Sequence, residues 1–337
     1  MSLIYRRKSH QPKFLDTVND YLQEIRPFAR RIDRNLLIVP LVILKSIEWS
    51  IYRWYKTPIR RFYGIKGNEL IYMITSRCNE RCAKCGIWKN PEPIGEHIDI
   101  SVFINCLKTL HENLYRVTLT GGEPLLFMND VLTIASESRK HDIQLITVTN
   151  GTLITEDFLN RYAELDHILV ISIDTLEKEK WTDFRGNNSF EKVMENIILS
   201  KRFLGKNLQI QSVLAEESTT DISIIQNFCK QREITHVTQP YMDFGGVWNN
   251  SKIVNGNTSD IACAARKNIC IYPNGDVVKC FDHHRIQIAK EPLGNIQKED
   301  IIQILCKKRA TEVSRVMKSC NFPCKHLSCN VPEIIYN

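Results

Sequence analysis

From residue 69 to residue 240 short, apolar, β-branched runs alternate with longer segments of helical period, and no other feature limits the fold so strongly. Residues 69–75 (ELIYMIT), 115–120 (YRVTLT), 143–149 (IQLITVT), 167–173 (HILVISI), 208–214 (LQIQSVL) and 235–240 (THVTQP) read as strands. Segments near 101–113, 129–141, 155–163, 189–204 and 220–232 read as helices, clearest in SFEKVMENIILSKRFL, whose apolar residues return at helical spacing. Apolar strands that alternate with helices form parallel sheets with helices outside. The expectation is an α/β fold, a partial (β/α)6 TIM-like barrel, whose chemistry sits at the C-terminal ends of its strands.

Three regions follow: a helical extension over 1–66, the barrel over 67–250 and a small cysteine-rich domain over 258–337. The extension contains LLIVPLVIL (36–44), too short to span a bilayer and broken by Pro40. Arg30, Arg31, Arg34, Arg53, Lys56, Arg60 and Arg61 flank its Leu, Ile, Trp and Tyr residues. Two readings stand: a helix packed on the following domain, or a membrane-surface contact through residues 36–61. The first residues hold no apolar stretch of signal type, so the expected location is cytoplasmic, with peripheral membrane contact open. A net charge of +7, with no basic stripe interleaved with aromatics, gives no case for a nucleic-acid partner.

Cysteine usage points to metal. In a reducing compartment clustered cysteines bind metal more often than they form disulfides. Cys106, Cys229 and Cys306 are scattered on helical segments and are expected to be buried thiols. Cys78, Cys82 and Cys85 instead fall in C-x3-C-x2-C on the loop after the first strand, with polar flanks (Ser76, Arg77, Asn79, Glu80, Arg81, Lys84) that predict an exposed loop. Structural zinc wants four ligands, whereas three thiolates hold three irons of a [4Fe–4S] cluster and leave the fourth open to an outside ligand.

This motif, CNERCAKCGIW through Trp88, resembles the signature of the radical S-adenosylmethionine (radical SAM) enzymes, in the branch with C-terminal auxiliary clusters. The resemblance implies a catalytic [4Fe–4S] cluster on Cys78, Cys82 and Cys85, with S-adenosylmethionine on its open iron. It implies reductive cleavage to a 5′-deoxyadenosyl radical that abstracts a hydrogen atom, and an electron donor such as a flavodoxin or ferredoxin. Lys84 stands where the family often has an aromatic residue. The stretch LTGGEPLL resembles the family's GGEP motif, so Gly121, Gly122 and Glu123 are implied to hold the methionine amino group. By the same resemblance Ser172 and Asp174 (ISID) face the ribose, Asn150 (TNGT) lies nearby, and Arg185 reaches the methionine carboxylate. Each of these last four also has a local reading as a turn, cap or ion-pair residue.

In the tail, residues 268–280 read as a hairpin turning at Asn274-Gly275, and a helix is expected over about 298–317. Cys263, Gly275 and Cys280 stand as C-x11-G-x4-C, and Cys320, Cys324 and Cys329 as C-x3-C-x4-C. The first spacing resembles the opening of the family's SPASM/twitch auxiliary domain and implies one auxiliary [4Fe–4S] cluster held by four of those five cysteines. A structural zinc site is the alternative, and Cys270 is either a further ligand or packing. The expected function is radical SAM modification of a peptide or protein by maturation, crosslinking, epimerisation or oxidation. A small-molecule or lipid-linked substrate is the alternative, and a non-catalytic iron–sulfur or zinc protein is the rival from another class.

Overall fold

The computed structural model describes residues 69–83, 85–88, 97–114, 116–214, 219–240, 268–281 and 291–317. Readings made of residues 1–66, of Lys84 and of Cys263, Cys320, Cys324 and Cys329 lie outside the described residues.

Six parallel strands lie side by side in chain order: β1 (Glu69–Thr75), β2 (Arg116–Gly121), β3 (Gln144–Thr149), β4 (Ile168–Ser172), β5 (Leu208–Leu214) and β6 (Thr235–Pro240). All begin within one residue of their expected positions. Helices α1 (Ile100–Leu110), α2 (Met128–Lys140), α3 (Glu156–Ala163), α4 (Lys178–Arg185), α5 (Phe190–Leu204) and α6 (Thr219–Gln231) fall between them. The starts of α1 and α3 are chemically marked: Asp99 accepts from Ser101 N and Thr155 from Phe158 N, each taking an amide with no partner inside its helix. Helix α4 was not foreseen. KEKWTDFR is mostly polar and buries only Trp181 and Arg185, too few positions to show a period.

Alternation along the strands separates two faces. On the helix side Tyr72 stacks on Phe103 at 4.2 Å, and the Tyr162 hydroxyl donates within reach of Thr147 Oγ1 (3.0 Å) and Ile168 O (2.9 Å). On the other face Ile146, Val148, Ile168 and Val170 pack together. Below them Arg116 meets Glu69 through Nε (2.8 Å) and Nη2 (2.6 Å), two parallel bonds that compensate the burial of both charges. Strand register puts Gln209 beside Val170 and Gln211 beside Ser172, so these side chains share that inner face.

The tail hairpin is present as β7 (Ile269–Ile271) and β8 (Asp276–Val278), with Asn274-Gly275 in its turn. Its strand β7 pairs in parallel with β1, and a short β9 (Gly294–Asn295) completes one nine-stranded sheet. Met73 of β1 forms a small core with Cys270, Val278 and Phe281. The expected tail helix is two, α7 (Ile301–Cys306) and α8 (Lys308–Val316), because Lys307 takes an extended ψ of 141°. Cys106 and Cys229 are buried as expected, but Cys306 is exposed, because it sits on the outer side of the last turn of α7.

Among the described residues no helix is long and apolar enough to cross a membrane.

Candidate functional site

The loop that leaves β1 carries Cys78, Cys82 and Cys85 and is docked on two sides. On the first side it meets the end of β2. Gly122 N donates to Thr75 O (2.6 Å) and Glu123 N to Arg77 O (2.8 Å). A Cβ at Gly122 would lie 2.1 Å from Arg77 O and 2.6 Å from Ser76 O, and one at Gly121 would lie 2.1 Å from Thr75 O. The sequence suggested that these glycines admit a ligand; in the structure the close approach is to the chain's own backbone.

Glu123 then turns inward and is fully buried. Its carboxylate accepts from Thr149 Oγ1 (2.7 Å), Asn150 N (2.8 Å) and Leu125 N (2.9 Å), tying the glycine turn to the end of β3. Burial pushes this carboxyl up to about 7, against the pull of those three donors. Asn150 Nδ2 donates to Asn79 Oδ1 (2.9 Å) and stands 3.8 Å from Cys78 Sγ, and Asn79 in turn donates to Thr152 Oγ1 (2.7 Å). The asparagine that follows the first cysteine is thereby fastened to the TNGT turn.

On the second side the loop meets α4. Arg81 N donates to Arg185 O (3.1 Å) and Ala83 N to Phe184 O (2.9 Å). Those carbonyls belong to the helix's last turn, where acceptors have no partner within the helix. Gly186 permits the approach, since a Cβ there would sit 2.7 Å from Arg81 O. Glu80 lies beneath. Its Oε2 faces Arg185 Nη1 at 3.2 Å and the Cys82 thiol at 3.8 Å, and its Oε1 accepts from Ser189 Oγ at 2.8 Å. Polar flanks predicted an exposed loop, yet Glu80 is 0% and Ser76 3% exposed. Glu80 is buried because its charge meets Arg185 and its second oxygen meets a hydroxyl.

Arg185 is buried as well, over the Trp181 ring at 5.3 Å. Besides Glu80 it faces Asp174 Oδ2 at 3.3 Å and donates to Ser172 O. Ser172 and Asp174, read together in the sequence, and Arg185, read apart from them, therefore form one cluster at the end of β4. Trp88 closes the loop, its indole donating to Cys82 O at 2.9 Å while Arg81 lies over its ring at 5.4 Å. Glu80 and Ser189 were missed by sequence reasoning. Between Asn79 and Arg81 nothing local distinguishes Glu80 from a surface residue.

Burial pushes the Cys78 thiol up to about 11 and the Cys82 thiol to about 12, with Arg185 opposing the rise at Cys82. Cys85 adds a smaller rise at each of the two. Among the described residues no three His, Cys, Asp or Glu side chains converge tightly enough for a single metal ion. Of the tail cysteines read as ligands, only Cys280 is described, and it is buried.

Comparison with known proteins gives two family matches. The Radical SAM superfamily model matches residues 72–213, and that of the SPASM iron–sulfur cluster-binding domain matches residues 263–330. The chain is 32% identical over 178 residues to the GTP 3′,8-cyclase of Aliarcobacter butzleri (strain RM4018), covering 50% of this chain and 54% of that one. It is 26% identical over 194 residues to the molybdenum cofactor biosynthesis protein moc-5 of Caenorhabditis elegans, covering 55% of this chain and 32% of the relative. The chain thus spans about half or less of the length of these curated relatives. Streptococcus suis SuiB bound to S-adenosylmethionine has a similar fold, with a TM-score of 0.65 at 14% identity over 90% of this chain and 83% of that one. So does histidine-tagged anSMEcpe with bound AdoMet, with a TM-score of 0.57 at 19% identity over 73% and 78%.

Proposed function

The chain belongs to the radical SAM superfamily, its barrel followed by an iron–sulfur cluster-binding domain, and on that premise we propose that it is an enzyme that modifies a peptide or protein at an unactivated C–H bond. One observation carries the chemistry: a loop with three cysteines is fixed at the C-terminal rim of a parallel barrel by two independent sets of bonds.

The residues present fit a [4Fe–4S] cluster with S-adenosylmethionine. In such a cluster each thiolate takes a different iron, so three cysteines need not converge on one point. Two buried polar atoms beside the loop, Ser76 Oγ and Arg185 Nε, have no partner among the described residues and suit a ligand rich in acceptors. When bound there and reduced, the pair supplies the 5′-deoxyadenosyl radical that removes a hydrogen atom from substrate. Cys78, Cys82 and Cys85 would hold the cluster. Gly121, Gly122 and Glu123, with Asn150, would frame the methionine end, and Ser172, Asp174 and Arg185 the nucleoside and carboxylate side. Glu123, whose carboxylate is held by Leu125, Thr149 and Asn150, would set the glycine turn, and the turn's main-chain oxygens would be the acceptors for an ammonium. Cys263 and Cys280, with two of Cys320, Cys324 and Cys329, would hold one auxiliary cluster, and a flavodoxin or ferredoxin would supply electrons.

The peptide reading draws on similar folds whose structures include SuiB bound to its precursor peptide SuiA and anSMEcpe with a bound peptide. A small-molecule substrate is the second reading, favoured by the relatives named GTP 3′,8-cyclase. The test uses anaerobically reconstituted, reduced protein. Iron is counted, and 5′-deoxyadenosine is followed after S-adenosylmethionine is added, with candidate peptide and with GTP. About eight irons and a nucleoside lost in Cys78→Ala support the chemistry, with four irons for each of two clusters. Stimulation by GTP and not by peptide would replace the substrate class.

A further inference from the structure

We infer that Glu80 is a positioning residue of the three-cysteine loop, one that presets the loop against α4 and α5 and balances the Arg185 charge beside Cys82. The inference rests on the reading of Cys78, Cys82 and Cys85 as cluster ligands.

Three observations carry it. Glu80 lies inside the cysteine motif itself, between Cys78 and Cys82, and is wholly buried. Its two oxygens are divided between two elements more than a hundred positions away. Oε2 meets Arg185 near the end of α4, and Oε1 meets Ser189 at the start of α5. The third observation is what Ser189 gives up. It is the N-cap residue of α5, where a serine hydroxyl ordinarily accepts from the helix's own free amides, and no such bond is made. The hydroxyl instead accepts from the Trp181 indole (3.0 Å) and donates to Glu80. A helix cap is forgone to orient one carboxylate, and that carboxylate gains a place at a helix N-terminus, where negative charge is favoured.

The geometry has two consequences. Arg185 cannot withdraw from the loop without leaving Glu80 as a buried, uncompensated charge. Around the Cys82 sulfur, moreover, the Arg185 charge is met by two carboxylates, Glu80, 3.8 Å from that sulfur, and Asp174, 3.3 Å from the guanidinium, so Glu80 offsets part of the positive field at the ligand. Removal of Glu80 alone would leave Arg185 opposed by Asp174 only and make the bound cluster easier to reduce, because one nearby negative charge that disfavours added electrons is gone.

The experiment uses the full chain. Glu80→Gln keeps the shape and an acceptor for Ser189 but removes the charge. Glu80→Gln/Arg185→Gln removes both charges. Each is reconstituted with iron and sulfide beside the parent and Cys78→Ala. Iron per chain, the EPR g-values of the reduced cluster and its midpoint potential are measured, and the Cys78-dependent part is taken. The expected result is an upward shift of potential with altered g-values in Glu80→Gln, and a return of the potential toward the parent in the double variant. Loss of the Cys78-dependent iron from a folded Glu80→Gln protein would equally support a positioning role. Parent-like iron, g-values and potential in both variants would overturn it. If Glu80→Gln does not fold, Ser189→Ala, which removes only the orienting hydroxyl, decides by the same readouts. A parent with no Cys78-dependent iron would refute the cluster reading itself, an outcome distinct from either.

Discussion

Gly122→Ala is the sharpest test of how the cysteine loop is held. The new methyl would stand 2.1 Å from Arg77 O, 2.5 Å from Arg77 C and 2.6 Å from Ser76 O, all backbone atoms that cannot rotate away. Relief requires one segment to retreat by roughly 1 Å, given carbon–oxygen contacts of at least about 3 Å. That retreat stretches Gly122 N–Thr75 O and Glu123 N–Arg77 O past bonding range. Each bond is worth about 1 kcal/mol net, and a buried donor left unmet costs about 1–3 kcal/mol. With two donors unmet, and allowing for the stiffer unfolded chain of alanine, which returns about 0.5 kcal/mol, the net destabilisation is about 1.5–5.5 kcal/mol. Gly205→Ala is the internal control. Its φ of 54° and ψ of −115° suit glycine, but nothing lies within 4 Å of the added methyl, so it carries a backbone penalty without a clash. The assay is urea unfolding of the iron-free proteins, followed by iron loading. Gly122→Ala should unfold at clearly lower urea than the parent and load less iron than both the parent and Gly205→Ala. Equal midpoints and equal loading would refute the claim that the glycine turn and the cysteine loop are backbone-locked.

Other outcomes follow from buried groups. His167 accepts from Leu145 N at Nδ1 and donates from Nε2 to Ala135 O (2.8 Å), and burial holds its imidazole down to about 4. Its unfolded form titrates near 6.5, so stability is complete above that pH and falls as pH drops toward 4, by about 3 kcal/mol in all. His167→Gln, which can make both bonds without titrating, should flatten the pH dependence between pH 4 and 6.5 when the two proteins are unfolded side by side. Glu69→Gln or Arg116→Met alone should each cost about 3–5 kcal/mol, and the double variant less than the sum; an additive cycle would show that the pair is uncoupled. Iodoacetamide should label Cys306 in the folded protein and reach the buried Cys106 and Cys229 only after unfolding, as peptide mapping would read.

The strands were legible because burial on a sheet is written in each residue's own chemistry. ILVIS in β4 shows the same apolar run in the sequence as in the sheet. The motif cysteines and the glycine turn were legible because their spacing is local. What the sequence hid is pairwise and distant. Glu80 looks like a surface residue until Arg185, 105 positions on, is placed beside it. Helix α4, which delivers Arg185, was hidden for the same reason: its inward face is one tryptophan and one arginine, and the arginine goes inward only because Glu80 and Asp174 are there. The two omissions are thus one. Neither the helix nor the burial of the carboxylate can be derived from its own segment, since each exists as a consequence of the other. The same holds at the hairpin, where ICI reads as a strand but its partner, β1, lies some two hundred residues earlier. Local pattern therefore drew the barrel and located its rim, while the contacts that hold the cysteine loop in place had to be seen in space.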